Sequence, residues 1–162
     1  MKFPKSWLQA VTDRIVGSTP RFDPTIWSPI DDVQYNNNCY NYACDIRGTY
    51  AQPGVASGYK YTSLTCEEIG RALVADGLAP IDCTKRCGRD GHKVAVVISP
   101  GQTFHLYRRD RNGQWSHKPG DGPPTNLDYS GKIITDPLRA DRGPFTVFCG
   151  CYCVKKHQVS IK

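Results

Sequence analysis

The order of patterns along this chain predicts an α+β fold, with N-terminal helices packed on an antiparallel sheet. Three observations carry that prediction. Apolar residues at helical spacing are confined to the first half. Runs of β-branched and aromatic residues fill the second half from His92 onward. A turn signal, Asn112-Gly113, separates two of those runs as a hairpin would.

In chain order, Trp7, Leu8, Val11 and Ile15 place a short helix over 5–16. Residues 17–38 read as loop, with prolines at 20, 24 and 29. Asn36, Asn37 and Asn38 are cap and turn formers, so a helix should open at Cys39 and run to about Ile46. "GTYAQPGVASG" is irregular, with Pro-Gly and Ser-Gly turn signals. The clearest helix lies in "SLTCEEIGRALVADGLAPI". Ser63 or Thr65 can cap it, Glu67 and Glu68 suit the first turn, Ile69, Leu73 and Cys66 form a buried stripe, and Gly77 closes it. "HKVAVVIS" and "TFHLYRRD" are strands, "QWSHKP" returns from the turn, "GKIIT" is a short strand, and "PFTVFCGCYCVKK" is a long closing strand.

The 162 residues suffice for one domain with one core, taken as 1–162. A chain 39% hydrophobic and 22% charged is ordinary for a soluble globular protein. No window is apolar enough to cross a membrane, and no nucleic-acid motif accompanies the net charge of +6. Neither a membrane nor a nucleic acid is therefore expected as a partner, and a monomer is. The N-terminal apolar residues are interrupted by Gln9, Thr12, Asp13 and Arg14, which is not a signal-peptide core. The protein is expected to be cytoplasmic as synthesised, with another system delivering it if it leaves the cell.

The stretch "QYNNNCYNYACD" focuses the functional question. A thiol at a helix start, beside an imidazole, has what a cysteine nucleophile needs. Backbone N–H groups at Asn38 and Tyr40, with the Gln34 amide, are candidate oxyanion donors. Of the four histidines, His157 lies near the C-terminus, His92 starts a strand, and His105 and His117 lie together in the predicted hairpin. Pairing Arg109 with Gly113 sets Tyr107 opposite Trp115 and His105 opposite His117, so one imidazole can orient the other. A structural contact and a Cys-His-His metal site are alternatives for the same three residues. Asp121, Asn126 and Asp128, in the long loop after His117, are alternative orienting residues.

A helix-start cysteine, a strand histidine and a polar residue on the next strand, in that order, resemble the papain-like superfamily, and its NlpC-type cell-wall peptidases most closely. The resemblance implies Cys39 as nucleophile, His105 as base and His117 as orienting residue, over residues 34–120. The usual Asp-Cys-Ser/Gly signature is replaced by "NNNCYNYA". The longer pattern "NNCYNYACD…YAQPG…FHLYRRD…WSHKPG" also resembles small bacterial and phage-associated proteins of no settled function, some labelled as toxins.

Eight cysteines without an export signal are read as reduced thiols, most of them buried. Cys149, Cys151 and Cys153 alternate, so all three should share one face of a strand. With Cys83 and Cys87 they are candidate zinc ligands, and a Cys83–Cys87 disulfide is a second alternative. The main expectation is a cysteine hydrolase that cleaves an amide bond through a thioester, without a cofactor, on a peptide or peptidoglycan stem. The alternatives are a hydrolytic effector or toxin acting on a host protein, and a non-catalytic cysteine-rich binding protein that could carry structural zinc.

Overall fold

The computed structural model describes residues 18–162, and the helix expected over 5–16 lies outside them. The architecture is α+β: a few short helices and one five-stranded antiparallel sheet, in the order β1-β5-β2-β3-β4. The strands are β1 (Ala79–Ile81), β2 (His92–Ser99), β3 (Thr103–Arg109), β4 (Trp115–Ser116) and β5 (Val147–Val154). The helices are α1 (Val33–Asn36), α2 (Cys39–Cys44) and α3 (Cys66–Ala75).

Each end of α3 has a chemical cause. Thr65 is its N-cap, and its hydroxyl accepts the Glu68 N–H at 3.2 Å. At the other end Gly77 adopts φ +105°, its N–H reaches the Val74 carbonyl, and the Leu78 N–H reaches Leu73. That double closure is a Schellman motif, and it ends the helix where glycine permits. Ile69 and Leu73 are fully buried, each contributing about 2–3 kcal/mol through the apolar area removed from water.

The sheet has two covered faces. Val94, Val96, Ile98, Leu106 and Val154 pack against α2 and α3. Ala95, Val97, Tyr107, Trp115 and Cys151 pack on the other side against Ile134 and Phe145 of the long 117–146 loop. Burial on both faces explains why β2 reads as a continuous apolar run.

Three details differ from the sequence reading. Residues 79–81, beyond the Gly77 stop and given no element by the sequence reading, form edge strand β1 paired with β5. "GKIIT" makes only isolated bridges, Leu127 with Ile133 and Trp115 with Ile134. The β3–β4 register sets Arg109 opposite Trp115 and Arg108 opposite Ser116, two residues from the expected pairing. An even shift preserves the faces. His117 thereby comes beside Tyr107, with ring centroids 4.8 Å apart, and diagonal to His105.

The cysteine alternation fails for a local reason. A register shift in the β2–β5 ladder pairs Val96 with Gly150 but Val97 with Phe148, leaving Cys149 in a bulge. Gly150, at φ +135°, accommodates it. Cys149 therefore packs on the helix side while Cys151 lies on the opposite face.

Candidate functional site

The asparagine cluster builds the start of α2. Asn38 is the N-cap, and its side-chain oxygen accepts from the N–H groups of Tyr40 and Asn41 at 3.0 and 3.1 Å. Asn41 replies by accepting from the Asn38 N–H at 3.1 Å and the Ala51 N–H at 3.0 Å. The Asn38 amide donates to the Ala51 carbonyl at 2.6 Å, and Asn37 accepts from Gly48 N–H at 2.8 Å. These bonds lock the turn before Cys39 to the 48–51 segment.

Cys39 and His105 both line one cavity of about 300 Å³, together with Asn38, Gln52, Phe104 and Phe145. Cys39 is only 6% exposed and His105 only 4%. His105 stacks on Phe145 at 5.0 Å, and its Nε2 lies 2.8 Å from Nδ1 of His117. The other nitrogen of His117 is 2.9 Å from the Leu127 carbonyl. A carbonyl only accepts, so His117 must carry its proton on Nε2. Its Nδ1 is then the acceptor, and His105 donates from Nε2. Among the described residues, no hydrogen bond joins the Cys39 thiol to His105.

The electrostatics keep this cluster neutral. Burial pushes the Cys39 thiol up to about 12, against the opposing pull of the Leu106 backbone and the Lys118 charge. Burial holds His105 well below the usual imidazole range, and the His117 charge adds to that. His117 is also lowered by burial, with the Leu127 carbonyl and Asp128 opposing. A thiol held up to about 12 stays protonated at neutral pH, and a protonated thiol is a poor nucleophile.

The remaining sequence candidates are spread out. The Gln34 side chain donates to the Asp121 carbonyl at 2.9 Å. The Tyr40 N–H is taken by Asn38, and its hydroxyl donates to Asp76 at 2.9 Å. Asp121 is exposed, and the Asn126 carbonyl accepts from Ile134. Asp128 accepts from Ser130 and Lys132 within its own turn.

Two cations exposed by 1% or less escaped sequence reasoning. Lys118, fully buried, donates to the Gln34 carbonyl at 2.5 Å, the Gly120 carbonyl at 2.6 Å and the Asn37 carbonyl. It ties the segment before α2 to the loop after β4. Arg108, 1% exposed, pairs with Asp110 at 2.9 Å, bonds the Tyr42 hydroxyl at 2.9 Å and lies 3.9 Å from the Tyr42 ring centroid. A run of "YRRDR" looks solvated in sequence, and nothing local marks its first arginine as buried.

The cysteines depart furthest from expectation. Disulfides join Cys66 to Cys149, Cys83 to Cys151 and Cys87 to Cys153, while Cys39 and Cys44 are free. Cys83, Cys87, Cys149, Cys151 and Cys153 are therefore not zinc ligands, and Cys83 is not bonded to Cys87. Among the described residues no group of three His, Cys, Asp or Glu side chains could hold a metal ion.

No family model and no solved structure matches the chain. A search of curated proteins finds insoluble matrix shell protein 1 of Ruditapes philippinarum, 45% identical over 134 residues, covering 80% of this chain and 86% of that protein. The relative overturns the papain-like and NlpC-type resemblance, and with it the peptidase, amidase and toxin readings and the peptide or peptidoglycan substrate. The phage-associated resemblance falls with them. The findings favour the alternative of a non-catalytic, cysteine-rich protein, although its cysteines form disulfides instead of a zinc site. Reduced thiols in a cytoplasm are corrected too, since disulfides persist in oxidising compartments.

Proposed function

We propose, on the premise that this chain belongs to the family of insoluble matrix shell protein 1, that it is a disulfide-braced structural constituent of an extracellular insoluble matrix. The observation that carries the reading is 45% identity sustained over 80% of the chain. The three disulfides support it, because they suit an oxidising space where a protein must outlast the cell that made it. The whole of 1–162 acts as one domain in this reading.

Cys39, His105 and His117 then serve as architecture. The His105–His117–Leu127 chain anchors the long loop to the sheet, and the neutral Cys39 thiol fills the space where α2 meets β3. No papain-like chemistry enters the proposal.

Fractionation of the tissue that makes the protein tests it. The chain should remain in the residue after extraction with chelator, urea and detergent, with its three disulfides intact by peptide mapping. Recovery in the soluble cytosolic fraction with eight reduced cysteines would refute the proposal.

A further inference from the structure

Among the described residues, a group of cations without ion-pair partners lies away from the histidine cluster. Two adjoining hollows, of about 460 and about 400 Å³, share Arg86, Lys93, Arg109 and Gly113 in their walls. Arg111 extends the first, and the apolar Pro137 and Leu138 edge the second. Together they form one groove with a cationic centre.

Charges of one sign are gathered there without an ion-paired counterion. Among the described residues, none of Arg86, Lys93, Arg109 and Arg111 has a carboxylate within ion-pair distance. The two carboxylates in the groove walls are engaged elsewhere: Asp110 with Arg108 at 2.9 Å, and Asp136 with Arg139 at 3.8 Å. Lys93, at 7% exposure, donates to the Cys83 carbonyl at 2.6 Å. Its charge is disfavoured by burial and then by Arg109, with Asp82 opposing. Arg109 and Arg111 spend only their Nε groups on carbonyls of Gly113 and Thr19.

The groove is also held open covalently. Its wall from Cys83 to Cys87 has no regular secondary structure, yet it is pinned to β5 at both ends by Cys83–Cys151 and Cys87–Cys153. Arg86 is thus kept beside Lys93 and Arg109 despite their repulsion.

We infer that this groove binds an acidic polypeptide, through side-chain carboxylates laid across Arg86, Lys93, Arg109 and Arg111. Three of the four cations are arginines, whose planar fork matches a carboxylate by two parallel hydrogen bonds. Nucleic acids and glycans are recognised less well here, because of the two aromatic rings in the walls Trp115 is 6% exposed and Phe148 is half-buried with the Arg142 guanidinium 5.6 Å over its ring. A second copy of this chain is disfavoured by its own charge of +6. The inference stands apart from the matrix role, since it concerns a partner and rests on the groove alone.

The test uses the full oxidised chain and fluorescent poly-L-glutamate, read by anisotropy over a salt series, with heparin as a competing polyanion. Binding should weaken as salt rises. Arg86→Glu with Arg109→Glu should weaken it at least tenfold, whereas Lys60→Glu with Lys132→Glu, an equal charge change on exposed residues elsewhere, should cost less than threefold. Equal losses in the two variants would overturn the inference in favour of diffuse attraction. Absence of binding would overturn it outright. Heparin binding more tightly than polyglutamate, and lost in the groove variant, would reassign the site to a sulfated glycan. Should the double variant fail to fold, Arg86→Gln alone decides. Arg86 is exposed, and its loss should cost at least threefold.

Discussion

Removal of the disulfides one at a time and in combination should show a specific non-additivity. Cross-links stabilise by restricting the unfolded chain, and the cost of losing one depends on the circuit that the others still close. Cys83–Cys151 and Cys87–Cys153 run side by side, four residues apart at one end and two at the other. With either bridge intact, restoring its neighbour closes a circuit of only about 6 residues, worth about 2 kcal/mol. Cys66–Cys149 joins the same network through a circuit of about 19 residues, worth about 3 kcal/mol. Losing both parallel bridges forfeits one short and one long circuit, about 5 kcal/mol together, more than twice a single loss. Paired cysteine-to-alanine variants, melted calorimetrically without reductant, read these differences. The expected falls in Tm are about 6 °C for C83A/C151A or C87A/C153A, about 9 °C for C66A/C149A and about 15 °C for the quadruple variant. If either parallel bridge alone cost as much as both, or if C66A/C149A melted with the parent, the circuit argument would be wrong.

Other outcomes follow from buried polar groups. Cys39 should alkylate with iodoacetamide at pH 7.5 at least a thousandfold more slowly than a free thiol, because burial lifts its pKa to about 12; mass mapping that finds Cys39 labelled as fast as glutathione would contradict the neutral site. His92, whose Nε2 lies 2.6 Å from the Ala43 carbonyl, is lowered by burial to about 4. A depressed histidine is neutral in the fold while the unfolded chain takes up a proton below about 6.5, so stability should fall by about 3 kcal/mol as pH drops from 6.5 to 4 and stay level from 7 to 8. Urea unfolding across that range should show the slope, and His92→Gln should flatten it in part; no change in slope would count against this assignment. Lys118→Met should lower stability by about 3–5 kcal/mol, because three carbonyls lose their buried donor. A Tm within 2 °C of the parent would mean that water replaces the ammonium without penalty.

The α+β class, α3 with its Thr65 cap and Gly77 stop, the opening of α2 at Cys39 and strands β2, β3 and β5 were legible because each rests on interactions between residues close in sequence. The resemblance to cysteine peptidases used the same local signals: a capped cysteine and a histidine on a hairpin. Those signals say which residue types stand near which backbone ends. They say nothing of solvent, and solvent decides whether a thiol ionises. Cys39 is covered by packing between α2 and β3, contacts that span more than sixty residues of chain. Cysteine pairing was out of reach for a similar reason. The bridges link positions 66 to 83 residues apart, and a single bulge at Gly150 turned Cys149 away from its neighbours and toward α3. Strand alternation is a local rule with a period of two residues, so one inserted residue inverts it. The burial of Arg108 and Lys118 depended likewise on the distant Asp45 carboxylate, Tyr42 hydroxyl and Gln34 carbonyl that the completed fold brought to them. Backbone propensity acts over a few neighbouring residues, whereas desolvation and covalent pairing depend on distances that exist only once the sheet has closed.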